Sequence, residues 1–418
     1  MSDGQFDPRF AQPPRFVKNP GTEKRSRYVV AHQKEQLAGI PHRPSGMAWF
    51  EARLESPRLP EGVPVVAYLC NMVPVEVVLA LDAVPVRVDC GNAALVQAGE
   101  EVLSGEVCPL AKSSYAAFLD PDGIPSRADS VVVAGSCDAK RKLGEALSDY
   151  KPTFVLPLPP EQDYARYWKP AVAEIERLVA FLEHRLGRRM KTEALRRSVE
   201  LCRRRTRIVR ELAEARSRKP EALSARDLFV VLQSSYAFYA PEEWLARADA
   251  LLAEVRAYEP VRERLRPRLV LTGAPVLWPN LKPLNLLEEC GADVVADTLC
   301  SGVQGLYDPV VVDERGRSAL LRALAQRYVF ASPCPCFVSG AKRLDRILDL
   351  VERHAADGVV HHGLRLCQLF DMEAHRLSAV LRDRKIAFLN LRTDYSLEDT
   401  EQIRVRLEAF LETIATGT

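Results

Sequence analysis

SVVVAGSCDAKRKLGEAL, residues Ser130–Leu147, decides the fold. Val131–Ala134 is a short β-branched run of the kind that fills a parallel sheet buried on both faces. Gly135 and Ser136 break it, and Cys137 stands before a charged segment whose leucines, Leu143 and Leu147, recur at helical spacing. A strand that hands over to a helix in so few residues is half of a βαβ unit. The rhythm recurs on both sides. VPVVAYLC (Val63–Cys70) is followed by a helix start over Val75–Leu81, behind Pro74 and with Glu76 in its first turn. VPVRVDCG (Val84–Gly91) and TFVLPLPP (Thr153–Pro160) are further strands. PRLVLTGAP (Pro267–Pro275) starts a second series, which continues with a helix at Leu284–Cys290, the strand ADVVADTLCSG and the segment RYVFASPCPC. A helix at Arg343–His354, the strands DGVVHHGLRLC and IAFLNLRTDY, and a helix at Glu401–Ile414 complete it.

Between the two series, EIERLVAFLEHRLG and LRRSVELCRRRTRIVRELAEA carry apolar residues at helical spacing, with Cys202 in a buried apolar role. The class is therefore α/β: two doubly wound, parallel-sheet, Rossmann-like domains with a helical linking segment. The expected divisions are an arm over residues 1–45, a first α/β domain over 46–163, a helical linker over 164–262 and a second α/β domain over 263–418.

Eight of the ten cysteines fall at or near predicted strand ends, where ligands bind in such domains. Cys70, Cys90, Cys108 and Cys137 lie in the first half; Cys300, Cys334, Cys336 and Cys367 lie in the second. Self-similarity pairs Cys90 with Cys300, Cys108 with Cys334 or Cys336, and Cys137 with Cys367. Any one of them is well explained as a buried core residue. Eight gathered at strand ends point to a shared metal cluster. Zinc is the inorganic rival, but CPC is not the C-x-x-C knuckle, and neither half holds a tight set of four. Net charge is +2, which argues against a nucleic-acid partner. No run of eighteen apolar residues spans a membrane. The N-terminal stretch has no apolar core of a secretory signal, so the expected compartment is the cytoplasm, with thiols reduced.

YLCNMVPVEVVLALDAVPVRVDCG, VCPLAKSSY, GSCDAKRKLGEAL, LTGAPVLWP, EECGADVVADTLCSG, CPCFVSGAKRLDRI, DGVVHHGLRLC and TDYSLEDTEQIRVRLEAFLE together resemble the 2-hydroxyacyl-CoA dehydratase D-component and benzoyl-CoA reductase superfamily. Within it, the chain is most similar to the double-cubane-cluster reductases, over roughly residues 60–415. Relatives with one cubane resemble it mainly at Cys108, Cys137 and Cys367. Cys300 and the CPC pair look like the double-cubane branch, where an eight-iron, nine-sulfur cluster is held by six thiolates. The resemblance implies a low-potential reductase acting on a small substrate, with electrons supplied by an ATP-hydrolysing activator that carries its own [4Fe-4S] cluster. ATP would be handled only by that partner, since no Walker A loop is present here. It also implies a homodimer. The alternatives are a subunit of a 2-hydroxyacyl-CoA dehydratase or benzoyl-CoA-type reductase with a single [4Fe-4S] cluster and an acyl-CoA substrate, and a non-catalytic electron-transfer protein. Asp82 stands where the family usually has a turn glycine, and Ala139 where Cys-Asp-Gly is common.

Six ligands follow from the pseudo-symmetry: Cys90, Cys108, Cys137, Cys300, Cys336 and Cys367. Cys70 and Cys334 are reserves, and the sequence does not rank Cys70 against Cys90. His361 and His362 are candidate proton donors or hydrogen-bonded strand histidines. Lys112 and Ser113 could serve an anion or cluster sulfides, or simply open a helix. Thr393, Asp394 and Tyr395 could line the cleft or cap a turn. RRRTRIVR (Arg203–Arg210) suggests a phosphate patch or a solvated helix face, the latter favoured by the neighbouring glutamates.

Overall fold

The computed structural model describes residues 20–259, 266–314 and 316–416. Residues 1–19 of the expected arm and the end of the expected linker, 260–262, lie outside the described residues.

The chain begins with helices α1 (Pro20–Ala38) and α2 (Met47–Glu55). The first α/β unit follows: β1 (Val65–Leu69), α3 (Val75–Ala80), β2 (Val84–Arg87), α4 (Ala93–Gly99), α5 (Pro109–Leu119), β3 (Ser130–Ala134), α6 (Asp138–Ser148) and β4 (Thr153–Leu156). Four helices form the insert: α7 (Tyr164–Leu186), α8 (Thr192–Arg218), α9 (Ala225–Ser234) and α10 (Pro241–Ala257). The second unit opens with β5 (Arg268–Gly273), α11 (Lys282–Glu289), β6 (Asp293–Asp297), α12 (Val303–Tyr307) and α13 (Arg317–Ala325). It closes with α14 (Ala341–Arg353), β7 (Gly358–Leu364), α15 (Gln368–Asp383), β8 (Ala387–Thr393) and α16 (Thr400–Thr416).

Both sheets are wholly parallel, and their strand orders are the same, β2-β1-β3-β4 and β6-β5-β7-β8. Two parallel sheets of like topology are the architecture that two repeats of the strand–helix rhythm imply. Alternate residues of each strand enter opposite cores, which is why the strands read as unbroken apolar runs. Val65, Ala67, Leu69, Val131 and Val133 pack with Leu143 and Leu147 of α6, whereas Val66, Tyr68 and Val132 pack with α3, α7 and α8. In the second domain Leu269, Leu271 and Val360 face one core, and Val270 and Val359 the other, with Ile347 and Leu377. Helix α8 brackets the two units, packing on α3 of the first and on β6 and α12 of the second. Part of the expected arm is α1, whose buried Gln33 exchanges hydrogen bonds with Asn285 and accepts the Leu281 N–H.

Two local features differ from expectation. RYVFASPCPC does not supply a strand: α13 runs into a π-helical turn, Gln326–Phe330, that buries Tyr328, Val329 and Phe330. A short apolar run of this kind is ambiguous by periodicity, and here the continuing helix wins. Cys334 and Cys336 thus follow a helix, and Cys108 is the N-cap of α5 rather than a strand end. At the turn after α3, Asp82 takes the left-handed conformation, at φ 51°.

Candidate functional site

β1 and β5 occupy equivalent places in their sheets, and both end in a left-handed residue. Gly273 at φ 112° needs glycine, because a Cβ there would lie 2.1 Å from the His362 carbonyl oxygen. Its counterpart at the end of β1 is Cys70, at φ 77°, a conformation that costs an L-residue energy and is held by its surroundings. The Cys70 N–H donates to Asp89 Oδ2 at 2.8 Å.

Cys70 lines a cavity with Cys108, Cys137, Cys300, Cys334 and Cys367. The cavity has a volume of about 90 Å³. Three of the six thiols sit at helix N-caps: Cys108 on α5, Cys137 on α6 and Cys367 on α15. None of the three side chains makes a cap hydrogen bond, but the first-turn N–H groups of Ala111, Lys140 and Phe370 respectively pull the thiol pKa values down against burial. Such donors stabilise a thiolate. The loop bearing Cys300 is built by Asp297, which accepts the Leu299 and Val303 N–H groups at 2.9 and 3.2 Å. It is tied to the first domain by Arg87, which donates to the Cys300 carbonyl at 2.8 Å, and to the insert by the Tyr236 hydroxyl on the Ser301 carbonyl at 2.6 Å.

Burial pushes the Cys70 thiol up to about 11 and Cys367 up to about 12, the latter with the charges of Cys108 and Cys137 adding to the rise. Cys108, Cys137 and Cys300 move the same way for the same reason, and Cys334 rises mostly through its hydrogen bond with Cys336, then through burial. Thiols in such a place are neutral on their own, and a coordinating metal reverses this by binding the thiolate. Beneath them lies a charged triad. Asp89 pairs with Arg87 at 2.7 Å and with Lys140, all three side chains 10% exposed or less. Burial opposes ionisation of Asp89, but Lys140 and Arg87 outweigh it and hold the carboxyl well below its ordinary range. The triad carries one net positive charge next to Cys70 and Cys300.

Cys90 and Cys336 are not on this lining. The Ser114 hydroxyl accepts the Cys90 N–H at 3.0 Å and Ser113 donates to the Cys90 carbonyl, so the sequence-predicted Ser113 positions that loop. Lys112 is committed to Glu100 at 2.6 Å and the Gly105 carbonyl at 2.9 Å. His361 and His362, fully or almost fully buried in β7, do not reach the cavity either. His361 Nδ1 is 3.0 Å from Asn390 Oδ1, and His362 Nδ1 donates to the Ala274 carbonyl at 3.0 Å. Asp394 caps its turn through the Ser396 N–H at 2.8 Å. Among the described residues no three His, Cys, Asp or Glu side chains converge closely enough to hold a single metal ion.

Arg87, Asp89, Lys140 and Arg343 escape a reading centred on cysteine. The available signal was charge inside an apolar strand, Val-Arg-Val-Asp at 86–89, and a lysine three residues after Cys137. Arg343 is buried, pairs with Glu373 at 2.5 Å and donates to Thr272 Oγ1 at 2.8 Å.

The buried His362 also predicts a pH dependence. Burial lowers its pKa from 6.5 to about 4. Between those values the unfolded chain takes up a proton that the folded chain refuses. Its contribution is therefore fully present above the unfolded pKa and falls as pH drops toward 4, by about 2 kcal/mol at pH 5. Urea midpoints at about pH 7 and about pH 5 should differ less in His362→Gln than in the native chain; equal slopes would refute the assignment.

A family model described as 2-hydroxyglutaryl-CoA dehydratase, D-component, matches residues 70–414. YjiM of Escherichia coli (strain K12), named as a dehydratase subunit, is 32% identical over 84% of this chain and 91% of its own length. A benzoyl-CoA reductase subunit of Thauera aromatica is 22% identical over 84% of this chain and 90% of its own. The beta subunit of (R)-2-hydroxyglutaryl-CoA dehydratase of Acidaminococcus fermentans is 22% identical over 85% and 93%. Among the described residues no helix is long and apolar enough to cross a membrane.

Proposed function

The chain belongs to the 2-hydroxyglutaryl-CoA dehydratase D-component family, and from that premise we propose that it is an iron–sulfur reductase whose double-cubane cluster is charged by an ATP-hydrolysing activator. One observation carries the reading: six cysteines, three from each domain, line one cavity at the strand ends. Cys70, Cys108, Cys137, Cys300, Cys334 and Cys367 would hold the cluster. The donor set fits, being all thiol, with Cys70 buried and the other five half-buried, and lying beside the Arg87–Asp89–Lys140 triad. When bound, the cluster supplies low-potential electrons one at a time. The protein's own residues do the rest. Arg87 and Lys140 offset thiolate charge, three of the sulfurs stand at helix N-termini, and Phe370 and Leu364 form an apolar wall beside Cys367.

A second reading, one subunit of a 2-hydroxyacyl-CoA dehydratase with a single cubane, is favoured by the names of the relatives. It leaves three cavity thiols without a role. Anaerobic protein mixed with an activator carrying its own [4Fe-4S] cluster, plus ATP, is the test. A reduced-cluster EPR signal that requires ATP supports the reductase. A signal of equal size without ATP, or none with it, counts against activator dependence.

A further inference from the structure

A roomier cavity lies elsewhere. A cleft of about 820 Å³ lies between α8 and the face formed by β6, α12 and α14, and the Arg203–Arg210 segment forms part of its wall. We propose that this cleft is a binding site for a small molecule carrying two or more phosphates, held by Arg216 and Arg210 from α8 and by the guanidiniums gathered on Tyr307. The inference does not rest on the cluster reading.

Arg216 lines the cleft at 3% exposure. It donates to the Val294 carbonyl, its Nε has no partner, and among the described residues no carboxylate lies within ion-pair distance of it. The carboxylates of Glu288, Asp293 and Asp297 act on it only from beyond ion-pair distance; a buried guanidinium with no anion in contact is costly, and a bound anion lowers that cost. Tyr307 collects three more. The guanidinium carbons of Arg210 and Arg346 lie 4.7 and 4.6 Å from its ring centroid, and Arg353 donates to its hydroxyl at 2.8 Å. Arg346 has Asp308 and Arg353 has Asp349, but Arg210 has no carboxylate partner among the described residues.

The acids of the cleft do not fill the gap. Glu200 pairs with Arg203, Glu211 with Arg256 and Glu214 with Arg218, and Asp297 spends its oxygens on backbone N–H groups. Arg210 and Arg216 are six residues apart on one helix, about 9 Å along its axis and about 120° around it, and both line the cleft. That separation calls for an extended polyanion rather than a lone phosphate. Val294, Val295 and Leu228 add an apolar wall that could take an organic portion.

Calorimetric titration of the full chain at low salt with inorganic tripolyphosphate, and separately with ATP, tests the site. Saturable binding is expected for at least one probe. Arg210→Ala, a change at an exposed side chain, should weaken it about tenfold or more, as loss of a charged hydrogen bond does. Arg216→Met should do the same, and should Arg216→Met fail to fold, Arg210→Ala decides. Arg177→Ala, on α7 outside the cleft, should leave binding unchanged. Binding of both probes assigns recognition to the phosphates, and binding of ATP alone adds the apolar wall. No saturable binding by either probe, or an equal loss in Arg177→Ala, overturns the proposal.

Discussion

Serine in place of Cys300 or Cys334 is expected to lower the iron retained by anaerobically purified protein by more than about half, while serine at Cys90 or Cys336 leaves it near the native level. The contrast follows from placement. Cys300 and Cys334 line the cavity with four other thiols, and the Cys300 loop is held there by Arg87, Tyr236 and Gln233. Serine keeps the shape but replaces a soft thiolate by a hard, poorly acidic hydroxyl, which binds cluster iron far less well. Cys90 points its loop at Ser113 and Ser114, and its replacement touches no cavity wall. Iron and acid-labile sulfide on the four variants decide the matter. Loss of iron on Cys90→Ser with retention on Cys300→Ser would reverse the assignment.

Asp89→Ala should cost about 3–5 kcal/mol of stability, because it leaves Arg87 and Lys140 buried without their anion. It also frees the Cys70 N–H, whose hydrogen bond to Asp89 steadies a left-handed cysteine. Urea unfolding at neutral pH reads the loss. Adding Lys140→Met to Asp89→Ala should recover part of it, since one of the two stranded charges goes. A single variant within about 0.5 kcal/mol of the native chain would mean that solvent reaches the triad and the electrostatic account is incorrect.

The fold was legible because its signals are local. Each strand–turn–helix unit is written in about fifteen to twenty residues, as in Ser130–Leu147, and two runs of the same rhythm yield two sheets of the same order. The site was legible only in part. Pseudo-symmetry pairs Cys90 with Cys300, since both follow the second strand of their sheets, yet the cavity takes Cys70 from the end of β1. The second domain cannot match that choice, because Gly273 at the equivalent strand end leaves no room for a side chain. Which of two nearby loops turns inward depends on a backbone φ and on Asp89, and neither is visible as a pattern. The CPC pair was hidden differently: it follows a helix that ends in a π-helical turn rather than a strand, and Cys334, not Cys336, lines the cavity. His361 and His362 stood out as polar residues in an apolar strand, but tertiary partners, Asn390 and Ala274, account for their hydrogen bonding within the sheet.

The most direct test of the central claim is the iron and acid-labile sulfide content per chain after anaerobic purification or reconstitution. The account predicts about eight irons per chain, as six thiolates sharing a double cubane require. About four would support the single-cubane dehydratase reading, and neither iron nor sulfide would contradict a cluster in the cavity of Cys70, Cys108, Cys137, Cys300, Cys334 and Cys367 altogether.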